Sequence, residues 1–117
     1  MGLKCIIAGS RDITDYDLIC QAIQTFGLKI TEVVCGMARG VDLLGKRWAD
    51  ENKVPVKEFP ADWNKYGRSA GMIRNEEMAT YADALILVWD GKSRGSKNML
   101  KMAKKYDLNI LEIKPSN

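Results

Sequence analysis

No histidine occurs anywhere in the 117 residues. That absence removes both the commonest general base near neutral pH and the commonest metal ligand. Ser/His and Cys/His nucleophilic mechanisms are therefore excluded. Cysteine is scarce as well: Cys5, Cys20 and Cys35 are odd in number, widely spaced and form no C-x-x-C pair. They point to neither a disulfide framework nor a zinc knuckle and read as small buried hydrophobes. With only three prolines, and no linker, repeat or low-complexity run, the chain reads as one domain over residues 1–117. The apolar run in the first seven residues is too short for a signal peptide or a membrane span, so a cytosolic protein without a membrane partner is expected. A strong excess of charge is also missing. Eighteen Lys and Arg against fifteen Asp and Glu give +3, which favours anionic ligands mildly and weighs against a dedicated nucleic-acid binder. The residues present call for no metal and no cofactor.

What is present alternates between two periodicities. Leu3 to Ala8, Thr31 to Cys35, Val54 to Phe59, Ala84 to Trp89 and Asn109 to Ile113 read as short buried strands. Between them lie helical patterns. The first starts at Thr14 with Asp15 and Asp17 in its opening turn and stops at Gly27. The second runs from Leu43 to Asn52, with Asp42 as a candidate N-cap. The third covers about Ser69 to Ala82, after an irregular loop from Pro60 to Arg68, and the fourth about Ser96 to Tyr106. On this last helix Lys97, Lys101, Lys104 and Lys105 read as a solvated face. Such alternation predicts an α/β fold, a Rossmann-like doubly wound parallel sheet of five strands in the order 3-2-1-4-5. The switch point would then lie between strands one and four, where ligands bind in this architecture.

Three loops at the carboxyl ends of strands carry the chemistry: Gly9-Ser10-Arg11, Gly36-Met37-Ala38-Arg39-Gly40, and Gly91 to Lys97 with Ser93, Arg94, Gly95 and Ser96. Glycine admits backbone N–H groups to a phosphate, a helix N-terminus adds partial positive charge, and Ser and Arg add donors. For any one loop, the need of a short exposed turn for glycine is an equal explanation; three together favour binding. Asp15 and Asp17 would repel a phosphate at the first helix. The Ser93 to Ser96 loop is the preferred phosphate site, with the Gly36 loop and Asp42 second. Gly71, Arg74, Asn75 and Met78 share a helix face, on which Arg74 would contact a phosphate or ribose and Gly71 would leave room. Trp63, Tyr66 and Trp89 are candidates to stack on a base, although core packing explains each equally well.

The ordered motifs IAGSR at Ile7 to Arg11, CGMARGVD at Cys35 to Asp42, ADW at Ala61 to Trp63, GRSAGMIRNEEM at Gly67 to Met78 and VWDGKSRGSKNM at Val88 to Met99 resemble the SLOG superfamily. That group includes the LOG phosphoribohydrolases, the DprA proteins and the YspA/YpsA-related branch. The likeness is to the small YspA-like proteins carried by bacteria and phages, and it spans nearly the whole chain. The resemblance implies a Rossmann-like fold, homo-oligomers and a nucleotide-derived small-molecule ligand, cleaved at an N-glycosidic bond in some members. It also implies that Arg74 matches the active-site arginine of the LOG enzymes. Met99 stands where those enzymes carry their catalytic glutamate.

Two main functions follow. A binder that senses or sequesters a nucleotide or ADP-ribose-type ligand is favoured, because the anion cradle is intact and that acid is absent. An N-glycosidase would need a displaced carboxylate, with Glu76, Glu77, Asp62 or Asp90 as weak candidates beside Arg74. Single-stranded nucleic-acid binding is a minor third. An apolar contact face for an oligomer would come from Leu43, Leu44 and Trp48.

Overall fold

The computed structural model describes residues 2–115. Its elements follow in the order β1 (Leu3–Gly9), α1 (Tyr16–Phe26), β2 (Ile30–Cys35), α2 (Val41–Glu51), β3 (Val56–Glu58), α3 (Trp63–Tyr66), α4 (Ala70–Tyr81), β4 (Ala84–Val88), α5 (Arg94–Lys105) and β5 (Asn109–Ile113). A 3-10 turn, Gly67–Ser69, joins α3 to α4. All four strand pairings are parallel and the sheet order is β3-β2-β1-β4-β5. The chain therefore has the α/β, Rossmann-like architecture that its alternating pattern predicts.

Side-chain alternation along the central strands explains why helices cover both faces. Cys5 and Ile7 of β1, Val33 of β2 and Ile86 of β4 pack into one cluster with Ile19, Ala22 and Ile23 of α1 and Val41 and Ala49 of α2. Their neighbours Ile6, Ala8, Val34, Leu85 and Leu87 point the other way, onto Met78 and Ala79 of α4 and Met99 and Ala103 of α5. Burying each of these Ile and Leu side chains contributes about 1.5–3 kcal/mol. α2 comes close to the sheet because Gly45 has no side chain; a Cβ there would meet Ile7 Cβ and Cγ2 at 2.7 Å.

Four local expectations shift. Asp15, rather than Thr14, caps α1, its carboxylate accepting from the Leu18 N–H at 3.4 Å. β3 is limited to three residues, because the Val54 N–H closes the end of α2 on the Ala49 carbonyl and Pro55 has no N–H to donate to β2. The expected loop from Pro60 to Arg68 contains α3, capped by Asp62, which accepts from the Lys65 N–H at 3.0 Å. Gly40, at φ 80°, takes the cap position of α2 and places Asp42 inside the first turn. Among the described residues no helix is long and apolar enough to cross a membrane.

Candidate functional site

A parallel sheet puts the ends of β1, β2 and β4 on one rim, so the three Gly-rich loops open together. Two glycines set how closely they meet. A Cβ on Gly9 would overlap the Val88 carbonyl, so β1 and β4 can stay this close at the rim only with glycine there. A Cβ on Gly36 would lie 2.8 Å from Asp42 Oδ2 and 3.0 Å from Arg74 Nη1. Gly36 thus separates a carboxylate of α2 from a guanidinium of α4, groups that come from opposite helical layers.

Asp42 is buried, with 5% of its surface exposed. Burial pushes its carboxyl up to about 6, against the opposing pull of Arg74, the amides of Ala38 and Gly9, and Arg11. The Ala38 N–H donates to Asp42 Oδ2 at 3.4 Å. Arg74 donates through Nη1 to the Gly36 carbonyl and through Nε to Asn75 Oδ1, the latter at 3.0 Å. Burial draws the Arg74 guanidinium below its usual range; Asp42 opposes that effect and Arg11 adds to it. Asn75, itself buried, donates to Gly95 O at 3.2 Å and Asn98 Oδ1 at 2.9 Å. One helix face of α4 therefore ties together the β2 loop and the first turn of α5.

That first turn is built by Ser93, the N-cap, whose Oγ accepts from the Ser96 N–H. Asp90 accepts from the amides of Lys92 and Ser93 at 2.8 and 2.9 Å, and these bonds hold its carboxyl below the usual carboxylate range. The amides of Arg94 and Gly95 open the helix, where backbone donors have no intrahelical partner. A Cβ on Gly95 would meet nothing within 4 Å, so a ligand can approach the turn closely.

Three adjoining cavities follow from this arrangement. One of about 360 Å³ lies between Gly9, Asp42, Arg74 and the Ser93 to Ser96 turn. Another of about 350 Å³ lies between Gly36, Ala38, Ala61 and Trp63. The third, about 840 Å³, runs along α4 and α5 from Asn75 to Lys104. Arg11 and Arg74 line all three, and among the described residues Asp42 is the one acid that lines any of them.

Of the residues singled out from sequence, Gly9, Arg11, Gly36, Ala38, Asp42, Gly71, Arg74, Asn75, Ser93, Arg94, Gly95 and Ser96 meet in these cavities. Ser10, Gly40, Trp89 and Gly91 do not line them. Ser10 is a structural knot: its Oγ accepts from the Asp90 N–H at 3.0 Å and its carbonyl from Ile13 and Val41. Gly40 and Gly91 provide turns at φ 80° and 82°. Trp89 is buried and donates through Nε1 to Glu112 at 2.8 Å, whereas Trp63 is 53% exposed at the cleft. The weak acid candidates lie elsewhere. Glu76 accepts from Lys105 Nζ at 2.8 Å and the Tyr106 hydroxyl at 2.6 Å, Glu77 is exposed outside the cavities, and Asp62 and Asp90 cap turns. Met99, 1% exposed, lies under the cavity of about 360 Å³ with no carboxylate in its place. Sequence reading missed Arg68, Met72, Asn98 and Leu100, which line the long cavity. Helical spacing from Arg94 was the available signal for Asn98 and Lys101.

Comparison with known proteins decides the family. The model of the YspA, cpYpsA-related SLOG family matches residues 3–66, which carry the first two Gly-rich loops. The chain belongs to this SLOG family. Likeness to a known protein extends past that segment: the Gene 61 protein of Mycobacterium phage D29 is 30% identical over 120 residues, covering 92% of this chain and 94% of the relative. Arg74 and the turn of α5 lie outside the family match. The same fold is found in DNA processing protein A (DprA) of Streptococcus pneumoniae, with a TM-score of 0.76 at 17% identity over 97% of this chain. This chain spans half the length of that protein.

Proposed function

We propose that the cleft binds a phosphate-bearing nucleotide or nucleotide-derived ligand of the ADP-ribose type, as a sensing or sequestering protein, and releases it intact. One observation carries the reading: Arg11 and Arg74 border every cavity at the rim, facing a helix start with open backbone donors and a single acid. Two guanidiniums with so little opposing charge make a site for an anion, and the planar fork of arginine suits phosphate. Trp63 supplies an exposed ring for a base.

Isothermal titration with AMP, ADP-ribose and NAD, followed by mass analysis of the recovered ligand, tests this. The expected result is one ligand per subunit, recovered unchanged. Removal of a charge-assisted bond in Arg74→Ala should weaken binding about 10- to 100-fold, as the loss of about 1.5–3 kcal/mol requires. Arg11→Ala, at an exposed residue, should weaken it without lowering the melting temperature. No binding by any of these nucleotides, or an affinity in both variants unchanged from that of the native protein, would overturn the reading. The mass of the native species tests for a homo-oligomer; on α2, Leu43 is exposed while Leu44 and Trp48 lean on the core.

A second reading rests on Asp42. A carboxyl raised to about 6 beside a cleft has the proton affinity of a general acid working near neutral pH. In that case Asp42, and none of Glu76, Glu77, Asp62 or Asp90, would protonate a departing base. Free base accumulating with the native protein but not with Asp42→Asn identifies it.

A further inference from the structure

The long cavity between α4 and α5 has a charge pattern that a single nucleotide at the rim does not use. Arg94, Lys97, Lys101 and Lys104 fall at i, i+3, i+7 and i+10 on α5 and so share a face, spanning about 15 Å of helix. Arg68 reaches the same cavity from the turn before α4. Among the described residues no acid lines this space. Like charges three and four residues apart repel one another along a helix. Where α5 does meet an acid, it uses it: Lys105, one position round from the row, pairs with Glu76 at 2.8 Å. Among the described residues, none of the five groove cations has such a partner. The floor beneath them is apolar, formed by Leu100 and by Met72, which is 59% exposed, with Trp63 at the end nearest the rim. Arg11 and Arg74 line this groove and both rim cavities, and Asn75 lines this groove and one of them, so the spaces adjoin.

Resting on the nucleotide reading of the rim, we propose that the α4–α5 groove is a second anion subsite of the same cleft, and that the ligand class is a linear dinucleotide. One phosphate sits at Arg11, Arg74 and the first turn of α5. The other, separated from it by a ribose rather than joined to it directly, lies along Lys97, Lys101 and Lys104. A base lies over the Trp63, Met72 and Leu100 floor, since a flat ring covers exposed apolar surface that water otherwise covers. Length decides against adjacent phosphates: a pyrophosphate would saturate the rim and leave the row of lysines without a counter-charge. The concentration of cations also argues against a second copy of this chain pressing the same face there.

The test compares AMP, ADP-ribose, the 5′-phosphorylated dinucleotide pApA and a twenty-residue oligothymidylate by titration calorimetry at 50 and 200 mM salt. The expected result is pApA binding at least tenfold tighter than AMP and tighter than ADP-ribose, with a steeper loss of affinity on adding salt. In Lys101→Ala/Lys104→Ala, whose side chains are exposed, the ratio of pApA to AMP affinity should fall to near one at an unchanged melting temperature. A ratio near one in the native protein overturns the second subsite, as does a ratio that survives the double substitution. An oligothymidylate that binds more tightly than pApA, and that loses affinity in the double variant, overturns the dinucleotide and assigns the groove to a single strand. Failure of the rim reading looks different: no nucleotide binds, AMP included, or binding of AMP survives Arg11→Ala.

Discussion

Asp42→Asn separates the stability of the cleft from its binding. An acid that titrates at about 6 in the folded chain and near 3.9 in the unfolded one binds its proton more tightly when folded. Its contribution is favourable below about pH 4 and is lost as pH rises to 6, after which it is constant. A shift of roughly two units corresponds to about 3 kcal/mol of destabilisation at pH 7 relative to acid. Asparagine is nearly the same size, keeps an oxygen for the Ala38 N–H and carries no charge to desolvate. The variant should therefore be more stable than the native chain at pH 7 by roughly 1–3 kcal/mol, the attraction of Arg74 being already contained in the raised value. For a domain of this size each kcal/mol raises the melting temperature by about 4 °C. Urea titrations of both proteins at half-unit steps from pH 4 to 7.5 measure the effect as a difference. That difference cancels carboxylates such as Glu51 and Glu76, whose lowered values make stability fall in acid. Parallel stability curves across pH 4 to 6, or a variant less stable at pH 7, would refute the claim that Asp42 is buried at a net cost.

Three further outcomes follow from the packing. Asn75→Ala removes the bonds to Gly95 and Asn98 and should cost about 1–3 kcal/mol, with faster amide exchange in the first turn of α5 read by NMR. Gly45→Ala forces a methyl group against Ile7 and should cost about 1–3 kcal/mol in urea titration. Glu76→Gln cuts the pairing with Lys105 and Tyr106 outside the cleft, so nucleotide affinity should be unchanged within twofold.

The fold was legible because Cys5 to Ala8 and Ala84 to Val88 are apolar on both faces, a pattern that only a strand covered on both sides uses. Strand order followed from connection rules. What sequence could not show were contacts between distant segments. Asp42 has the composition of a cap, and only the φ of Gly40 puts it inside the helix. The lysines of α5 have the periodicity of a solvated face. They become one wall of a groove because Arg68 and Trp63, some thirty residues earlier, stand across from them. A net charge of +3 averages away this local concentration. By contrast, α3 did carry a local signal, Asp62 three residues before Lys65, which is a capping pattern that the surrounding aromatics and proline obscured.

The Arg74 bond to the Gly36 carbonyl reaches from one helical layer over the end of the sheet towards the other. The strands otherwise separate the two layers, each of which has its own apolar cluster. A ligand seated on Arg11, Arg74 and the turn of α5 would act as a clasp across that seam. Its imprint should extend beyond the cleft to the amides of α2, α4 and α5, slowing their hydrogen exchange together and making one opening unit of segments that otherwise open separately.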